Sequence, residues 1–132
     1  MAQALAAYTG YKHYVVISPS PFVAHVEINR PTKLNAFLEA MWLELRQVFE
    51  QLSCDSDVRV VILSGAGDRA FTAGLDVQAA SQGTPLQAGG GTDAGRKAVK
   101  LKRYILEFQD CISAVEKCEK RGYPVGTLPS LA

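Results

Sequence analysis

The amino-acid sequence predicts an α/β fold with an N-terminal hairpin, a crossover helix, a parallel strand and a long amphipathic helix. Two β-branched segments flank a Ser-Pro-Ser-Pro turn near the N-terminus, which is typical of a hairpin. A segment with helical periodicity separates the second strand from a short apolar run, and a helix between two strands lets them lie parallel in one sheet. The chain of 132 residues, 48% hydrophobic and 20% charged, has the size and composition of one globular domain.

The predicted hairpin occupies residues 13–28, with a turn at residues 18–21. Its second strand alternates between apolar and other residues, which is typical of a strand that is buried on one face. The predicted buried face consists of Phe22, Ala24, Val26 and Ile28. His25 belongs to the opposite face, and we expect it to be solvated.

A helix is predicted from about Ala36, because its apolar residues recur at intervals of three and four. This stripe consists of Leu38, Met41, Leu45, Val48 and Leu52. Thr32 or Asn35 is a candidate cap for the start of the helix. Residues 58–63 follow as an apolar, β-branched run, which predicts a parallel strand covered on both faces. We expect the active edge of such a sheet at the carboxyl ends of its strands.

A second amphipathic helix is predicted over residues 96–120, and we expect it to pack on the sheet. Its first turns are basic, so a role at a membrane surface is the alternative. The Gly-rich segment 81–95 before it predicts a mobile loop, either a plain linker or a lid. Residues 121–132 contain two Pro and two Gly without periodicity, which predicts an irregular tail.

Charge and composition exclude several classes of partner. The formal net charge of +1 gives no electrostatic reason to expect nucleic acid as a partner, and no apolar run is long enough for a transmembrane segment. Neither end of the chain shows a targeting signal. Three cysteines without a CxxC motif indicate free thiols, with Cys111 and Cys118 on one helix face as packing residues. No histidine cluster or metal-binding motif is present, so we expect no metal.

The segment 71–76 is the most informative candidate site. Its small residues allow the backbone to approach a ligand closely. If a short helix begins at Leu75, unpaired backbone N–H groups there can bind an anion or a polarised carbonyl oxygen. Asp76 would then cap the turn or hold the loop. The residues alone leave a plain strand-to-helix turn as the alternative.

Two motifs, in order and at appropriate spacing, resemble a known family. Residues 29–36 (NRPTKLNA) resemble the NRPxxxNA segment of the crotonase (enoyl-CoA hydratase/isomerase) superfamily. Residues 60–67 and 70–76 (AFTAGLD) resemble its strand and oxyanion-hole segment. Residues 64–67, 71–76, 104–112 and 115–120 are most similar to the Δ3,5-Δ2,4-dienoyl-CoA isomerases. The resemblance covers residues 13–120 and implies an incomplete crotonase-like (ClpP/crotonase) ββα fold.

The resemblance implies an acyl-CoA isomerase of fatty-acid β-oxidation, with enoyl-CoA hydratase as the alternative. The N–H of Leu75 would be the first oxyanion donor, and Lys33 would contact the phosphate or adenine of CoA unless it is a plain surface lysine. The substrate-binding residues implied beside Leu75 are Ala73, Gly74, Asp76 and Val77. The substrate is an acyl-CoA thioester and no cofactor is implied. Members are peroxisomal or mitochondrial and usually homo-oligomeric.

The family pattern stops at Lys120. The expected next strand, the second oxyanion donor and the catalytic carboxylates are not recognisable in residues 121–132. We therefore expect a truncated N-terminal half with an unrelated tail, inactive as an isomerase and with apolar faces left uncovered. A non-catalytic fragment that binds CoA or associates with other subunits is the alternative.

Overall fold

The computed structural model describes residues 3–82 and 93–126. Within them, five strands form one sheet in the order β1-β2-β3-β4-β5. The strands are β1 (Gln3–Ala4), β2 (Tyr14–Ser20), β3 (Val23–Ile28), β4 (Val60–Gly65) and β5 (Arg121–Pro124). The helices are α1 (Glu39–Cys54), α2 (Val77–Ala80) and α3 (Ala94–Lys117), and short 3-10 turns occupy Ala6–Tyr8 and Pro31–Lys33.

The predicted hairpin is confirmed, because β2 and β3 pair antiparallel with Tyr14 opposite Ile28. Its turn lies two residues later than predicted, and the register shifts between Ile17 and Ser20. Phe22 therefore falls in the turn with a φ of 65° and is exposed, so its predicted place on the buried face is wrong. The Arg59 guanidinium lies over its ring, 4.2 Å from the centroid.

His25 is buried, so the prediction of a solvated side chain is wrong. It is only 6% exposed, and its Nε2 lies 2.6 Å from the hydroxyl oxygen of Ser64 on the neighbouring strand β4. The alternation in β3 places His25 on the face away from α1, but β4 brings a polar partner to that face. Burial lowers the pKa of His25 below its ordinary value.

The predicted crossover is confirmed. Strands β3 and β4 are parallel, with Val23 opposite Val60 and Ile28 opposite Gly65, and α1 connects them. Helix α1 begins at Glu39 rather than Ala36, and neither Thr32 nor Asn35 caps it. The core between α1 and the sheet is formed by buried apolar side chains, among them Tyr14, Val16, Ala24, Val26, Ile28, Met41, Leu45, Val48, Leu52 and Val61.

Helix α3 packs mainly against α1, which corrects the expected packing on the sheet. Trp42 of α1 makes edge-to-face contacts with Tyr104 and Phe108 of α3, with ring centroids 5.5 and 4.6 Å apart. Aromatic side chains widen the apolar surface of α1, so α1 offers α3 a second apolar face. Cys111 is buried in this interface, and Cys118 lies just beyond the end of α3, half-buried against the core.

The prediction of an irregular tail is wrong for Arg121–Pro124. This segment forms β5, parallel to β4, with Val60 opposite Arg121 and Leu63 opposite Pro124. Backbone pairing along the free edge of β4 requires no alternation of side chains, which is why the sequence pattern gave no signal. Helix α3 begins at Ala94, within the predicted loop, because the Asp93 carboxylate accepts the N–H groups of Gly95 and Arg96 at 2.7 and 3.1 Å. The rest of that loop, 83–92, and the tail 127–132 lie outside the described residues.

Candidate functional site

Two loops meet at the carboxyl ends of β3 and β4. The first loop, residues 29–37, follows β3, and the second, residues 66–76, follows β4. Because the two strands are parallel, both loops leave the same edge of the sheet. This is the edge at which the sequence predicts the site.

The side chain of Asn35 joins the two loops. Its Oδ1 accepts the backbone N–H of Arg30 at 2.9 Å. Its Nδ2 donates to the carbonyl oxygens of Ala66 and Ala70, each at 2.9 Å. Asn35 is fully buried and has a φ of 55°, a left-handed conformation that Asn adopts more readily than most residues. It therefore fixes the second loop relative to the first.

The loops approach so closely that Gly65 has no room for a side chain. A Cβ at this position would overlap the carbonyl oxygen of Phe71 and lie 2.8 Å from that of Ala70. Glycine thus allows the backbone of the second loop to fold back over the end of β4.

The backbone around Leu75 is held by a parallel bridge to Phe37. The Phe37 N–H donates to the Gly74 carbonyl oxygen at 2.7 Å, and the Asp76 N–H donates to the Phe37 carbonyl oxygen at 3.0 Å. In this pattern, the N–H and carbonyl groups of Leu75 itself point away from Phe37. No residue in the described part of the chain accepts a hydrogen bond from the Leu75 N–H.

The two N–H groups that directly precede Leu75 are already engaged. The Ala73 N–H donates to the Leu34 carbonyl oxygen at 2.9 Å, and the Gly74 N–H donates to the Thr72 hydroxyl at 3.1 Å. Gly74 has a φ of 82°, which turns the chain into the bridge. Among residues 73–76, Leu75 is therefore the one whose N–H has no acceptor within the described residues, and the bridge to Phe37 fixes its position.

Asp76 both caps α2 and holds the loop, the two roles considered for it from the sequence. Its Oδ1 accepts the Ala79 N–H at 2.9 Å, and its Oδ2 accepts from the Arg30 guanidinium at 2.8 Å. The same guanidinium nitrogen donates to the Ala36 carbonyl oxygen at 3.0 Å. The hydrogen bond from the Ala79 N–H has the largest effect on the carboxylate, and the hydrogen bond from Arg30 has the next largest. Together they hold the pKa of Asp76 below its usual range. Helix α2 begins at Val77, two residues after the predicted start.

A cavity of about 260 Å³ lies beside Leu75. Its lining includes Phe37 and Leu75 from the two loops, Trp42 from α1 and Tyr104 from α3. Glu39, in the first turn of α1, also lines it and is exposed. The lining thus includes apolar side chains, an accessible carboxylate and Leu75, whose N–H has no acceptor among the described residues. Such a combination suits a ligand with a polar carbonyl and an apolar chain.

The predicted site residues fall into two groups. Leu75 and Asp76 line the cavity, whereas Ala73, Gly74, Val77 and Lys33 do not. Val77 and Lys33 are exposed. The positive charge of Lys33 helps to lower the pKa of Asp76, so the two side chains are near each other.

Sequence reasoning missed the polar residues whose side chains hold the backbone of the two site loops. Arg30 and Asn35 lie within the NRPxxxNA segment, yet the motif served only to identify a resemblance. The Thr72 hydroxyl donates to the Asn35 carbonyl oxygen at 2.6 Å while it accepts the Gly74 N–H. The sequence did contain a signal for these residues: Arg30, Asn35 and Thr72 are polar side chains in the loops that directly follow two apolar strands.

Comparison with known proteins adds a family assignment. Residues 20–116 match the enoyl-CoA hydratase/isomerase family. The chain is 40% identical over 110 residues to the mitochondrial Δ(3,5)-Δ(2,4)-dienoyl-CoA isomerase of Mus musculus, a match that covers 83% of this chain and 33% of that protein. It is 39% identical over 98 residues to the peroxisomal Δ(3,5)-Δ(2,4)-dienoyl-CoA isomerase of Arabidopsis thaliana, with coverage of 74% and 34%.

The fold has a close relative among crystal structures. An enoyl-CoA hydratase/carnithine racemase from Magnetospirillum magneticum superposes with a TM-score of 0.71 and 28% identity, over 90% of this chain and 40% of that one. The chain spans about a third of the length of the curated relatives that it matches. The predicted domain limits of 13–120 stay a prediction, but the match at 20–116 includes both loops of the site. The chain therefore has a crotonase-like α/β fold and belongs to the enoyl-CoA hydratase/isomerase family.

Proposed function

We propose that this chain binds an acyl-CoA thioester at the cavity beside Leu75. By family the reaction is that of the Δ3,5-Δ2,4-dienoyl-CoA isomerases, but the 132-residue chain itself binds without measurable turnover. One observation carries the proposal: the Leu75 N–H is fixed by the bridge to Phe37 but has no acceptor within the described residues. The names of the relatives from mouse and Arabidopsis support the choice of reaction. Their mitochondrial and peroxisomal names also support a place in one of these organelles.

The donor would act on the thioester oxygen. Isomerisation of a 3,5-dienoyl chain removes a proton from C2 and returns one at C6, and negative charge develops on the carbonyl oxygen between these steps. A donor that is already fixed stabilises that charge without reorganising, and removing one such donor costs about 10²–10³ in rate. The apolar wall formed by Phe37 and Trp42 would lie along the acyl chain, and Lys33 would contact the phosphates of CoA.

The isolated 132-residue chain should bind far better than it turns over. The cavity is lined by two carboxylates, Glu39 and Asp76. Asp76 is committed to Arg30 and the Ala79 N–H. Glu39 is exposed, and no hydrogen bond or ion pair from another described residue fixes its carboxylate. A base that is not positioned contributes little of the 10²–10⁴-fold expected of general acid–base catalysis. Enoyl-CoA hydratase is the second candidate, supported by the name of the Magnetospirillum relative.

Binding is tested by titrating the ¹⁵N-labelled chain with an acyl-CoA ether analogue, a thioester analogue and CoA alone. We expect the Leu75 amide resonance to shift with the thioester analogue and to shift much less with the ether, which lacks the carbonyl. Leu75→Pro removes the N–H and should weaken thioester binding at least tenfold. Leu75→Ala is the matched control, since it truncates the side chain but keeps the donor. Equal affinities of the two variants would contradict the proposal.

Turnover is tested with a 3,5-dienoyl-CoA, whose conversion to the conjugated 2,4-dienoyl thioester changes the ultraviolet absorbance. We expect binding without measurable isomerisation. Hydration of an enoyl-CoA by the same preparation would favour the second candidate. If isomerisation does occur, its loss in Glu39→Gln would identify Glu39 as the base.

A further inference from the structure

Helix α3 extends beyond the start of α1, at the edge of the sheet that carries the candidate site. The two helices run parallel: Trp42, near the start of α1, contacts the Tyr104 ring, and Ser53, near its end, accepts the Glu119 N–H just after α3. Because α1 begins shortly before Trp42, residues 94–100 of α3 lie ahead of α1. All of them are exposed.

Two lysines continue the α1-facing side of α3 along this projecting segment. Lys100 and Lys97 precede Tyr104 by four and seven residues, so they lie on the same side of the helix, about one and two turns before it. At 1.5 Å per residue, they are about 6 and 10 Å from Tyr104 along the helix axis. Tyr104 lines the cavity beside Leu75, and neither lysine does. The two lysines therefore lie just outside the cavity, beyond its Tyr104 end.

The positive charges of Lys97 and Lys100 have no role within the described part of the fold. Neither side chain forms an ion pair or a hydrogen bond with another described residue. Positive charge near a helix N-terminus opposes the helix dipole, so these lysines do not stabilise the start of α3. Their charges are therefore available to an anionic group of a ligand.

We propose that Lys97 and Lys100 bind the terminal carboxylate of an ω-carboxyacyl-CoA, a thioester whose acyl chain ends in a second carboxyl group. The inference rests on the proposed function, in which the Leu75 N–H binds the thioester oxygen. From there the acyl chain runs along the apolar wall past Trp42 and leaves the cavity at Tyr104. Its terminal carboxylate then accepts charge-assisted hydrogen bonds from the two ammonium groups.

The carboxylates of the cavity set a minimum length for such a chain. Within the described residues, the lining contains two carboxylates, Glu39 and Asp76, and no cation. Asp76 is paired with Arg30, so the charge of Glu39 is the one that repels a ligand carboxylate inside the cavity. Only a chain that extends past Tyr104 brings its carboxylate to the lysines. The terminal carboxylate should therefore favour binding in long acyl chains and not in short ones.

The test compares CoA thioesters of equal chain length, with and without the terminal carboxylate, by calorimetric titration of the full 132-residue chain. Dodecanedioyl-CoA should bind about fivefold more tightly than dodecanoyl-CoA at low salt, because exposed ion pairs contribute modestly and are screened by salt. Hexanedioyl-CoA should have no advantage over hexanoyl-CoA. Lys97→Gln and Lys100→Gln should each lower the affinity ratio of the long pair, and the double variant K97Q/K100Q should reduce it to about one.

Lys102→Gln is the matched control for each single change. It removes the same charge from an exposed position of α3, about 160° around the helix axis from Tyr104, and should retain the affinity ratio. Circular dichroism checks that α3 remains helical in every variant. An advantage of the short ω-carboxylate, or a ratio that persists in K97Q/K100Q, would overturn the inference.

The Leu75 amide resonance distinguishes failure of this inference from failure of the proposed function. If it shifts with both long thioesters and their affinities are equal, the lysines do not recognise the chain end and the inference alone fails. If K97Q/K100Q weakens both long thioesters equally, the lysines contact the CoA moiety, and the inference again fails alone. If neither thioester shifts the resonance, the proposed function fails and the inference fails with it.

Discussion

Replacement of Asn35 by Ala should destabilise the protein by about 4 kcal/mol. The change removes three hydrogen bonds that join the two site loops, to the Arg30 N–H and to the carbonyl oxygens of Ala66 and Ala70. At about 1 kcal/mol each, these bonds account for roughly 3 kcal/mol. The left-handed backbone at position 35, with a φ of 55°, adds about 1 kcal/mol when the residue is Ala.

The assay is urea unfolding followed by far-ultraviolet circular dichroism, with Asn29→Ala as the matched control. Asn29 is exposed, so its replacement should change the free energy of unfolding by less than about 0.5 kcal/mol. Asn35→Gly separates the two contributions, because it loses the same bonds without the left-handed strain and should fall between Asn35→Ala and the wild type. A loss below about 1 kcal/mol in Asn35→Ala would show that the loops are held together by other contacts.

Three further predictions concern the site loops and the two parallel strands that precede them. Gly65→Ala should lower the midpoint of urea unfolding markedly, since its Cβ would overlap the Phe71 carbonyl oxygen, and a neutral effect would refute that packing. Arg30→Met should leave the fold intact but weaken thioester binding several-fold in the titration, because Asp76 loses its 2.8 Å partner; unchanged affinity would refute this. Burial lowers the pKa of His25 in the folded state, so stability should be full above its ordinary value of 6.5 and should decline as the pH falls below it. His25→Gln should flatten this decline in unfolding measured from pH 8 to pH 5, and an unaltered slope would contradict it.

The parts of the fold that follow from local patterns could be predicted from the sequence. The hairpin, the crossover helix and the parallel strand β4 each have a clear periodicity or composition, and all three are confirmed. The observed boundaries of these elements differ from the predicted ones by a few residues, because some side chains that were expected to cap an element make other hydrogen bonds. Asn35, for example, is a good capping residue in general, but here its side chain is already committed to the second loop.

The wrong predictions concern contacts between distant residues. The burial of His25 depends on Ser64, which is 39 residues away, and no pattern within β3 reveals that partner. Strand β5 forms because the edge of β4 is available, although RGYP has little strand character of its own. Similarly, the periodicity of α3 predicts an apolar face but cannot tell whether the sheet or α1 will cover it.

The candidate site is assembled from contacts within one continuous part of the chain, which determines what this chain can do. The bridge from Phe37 to Leu75, the amide of Asn35 and the ion pair from Arg30 to Asp76 all lie within residues 30–76. Within the described residues, these contacts fix a backbone donor and involve no residue beyond the second loop. Thioester binding and turnover should therefore separate in this chain, since binding requires the donor and the apolar wall, whereas proton transfer also requires a positioned base. For this reason, the sharpest test of the proposed function is the difference in affinity between Leu75→Pro and Leu75→Ala.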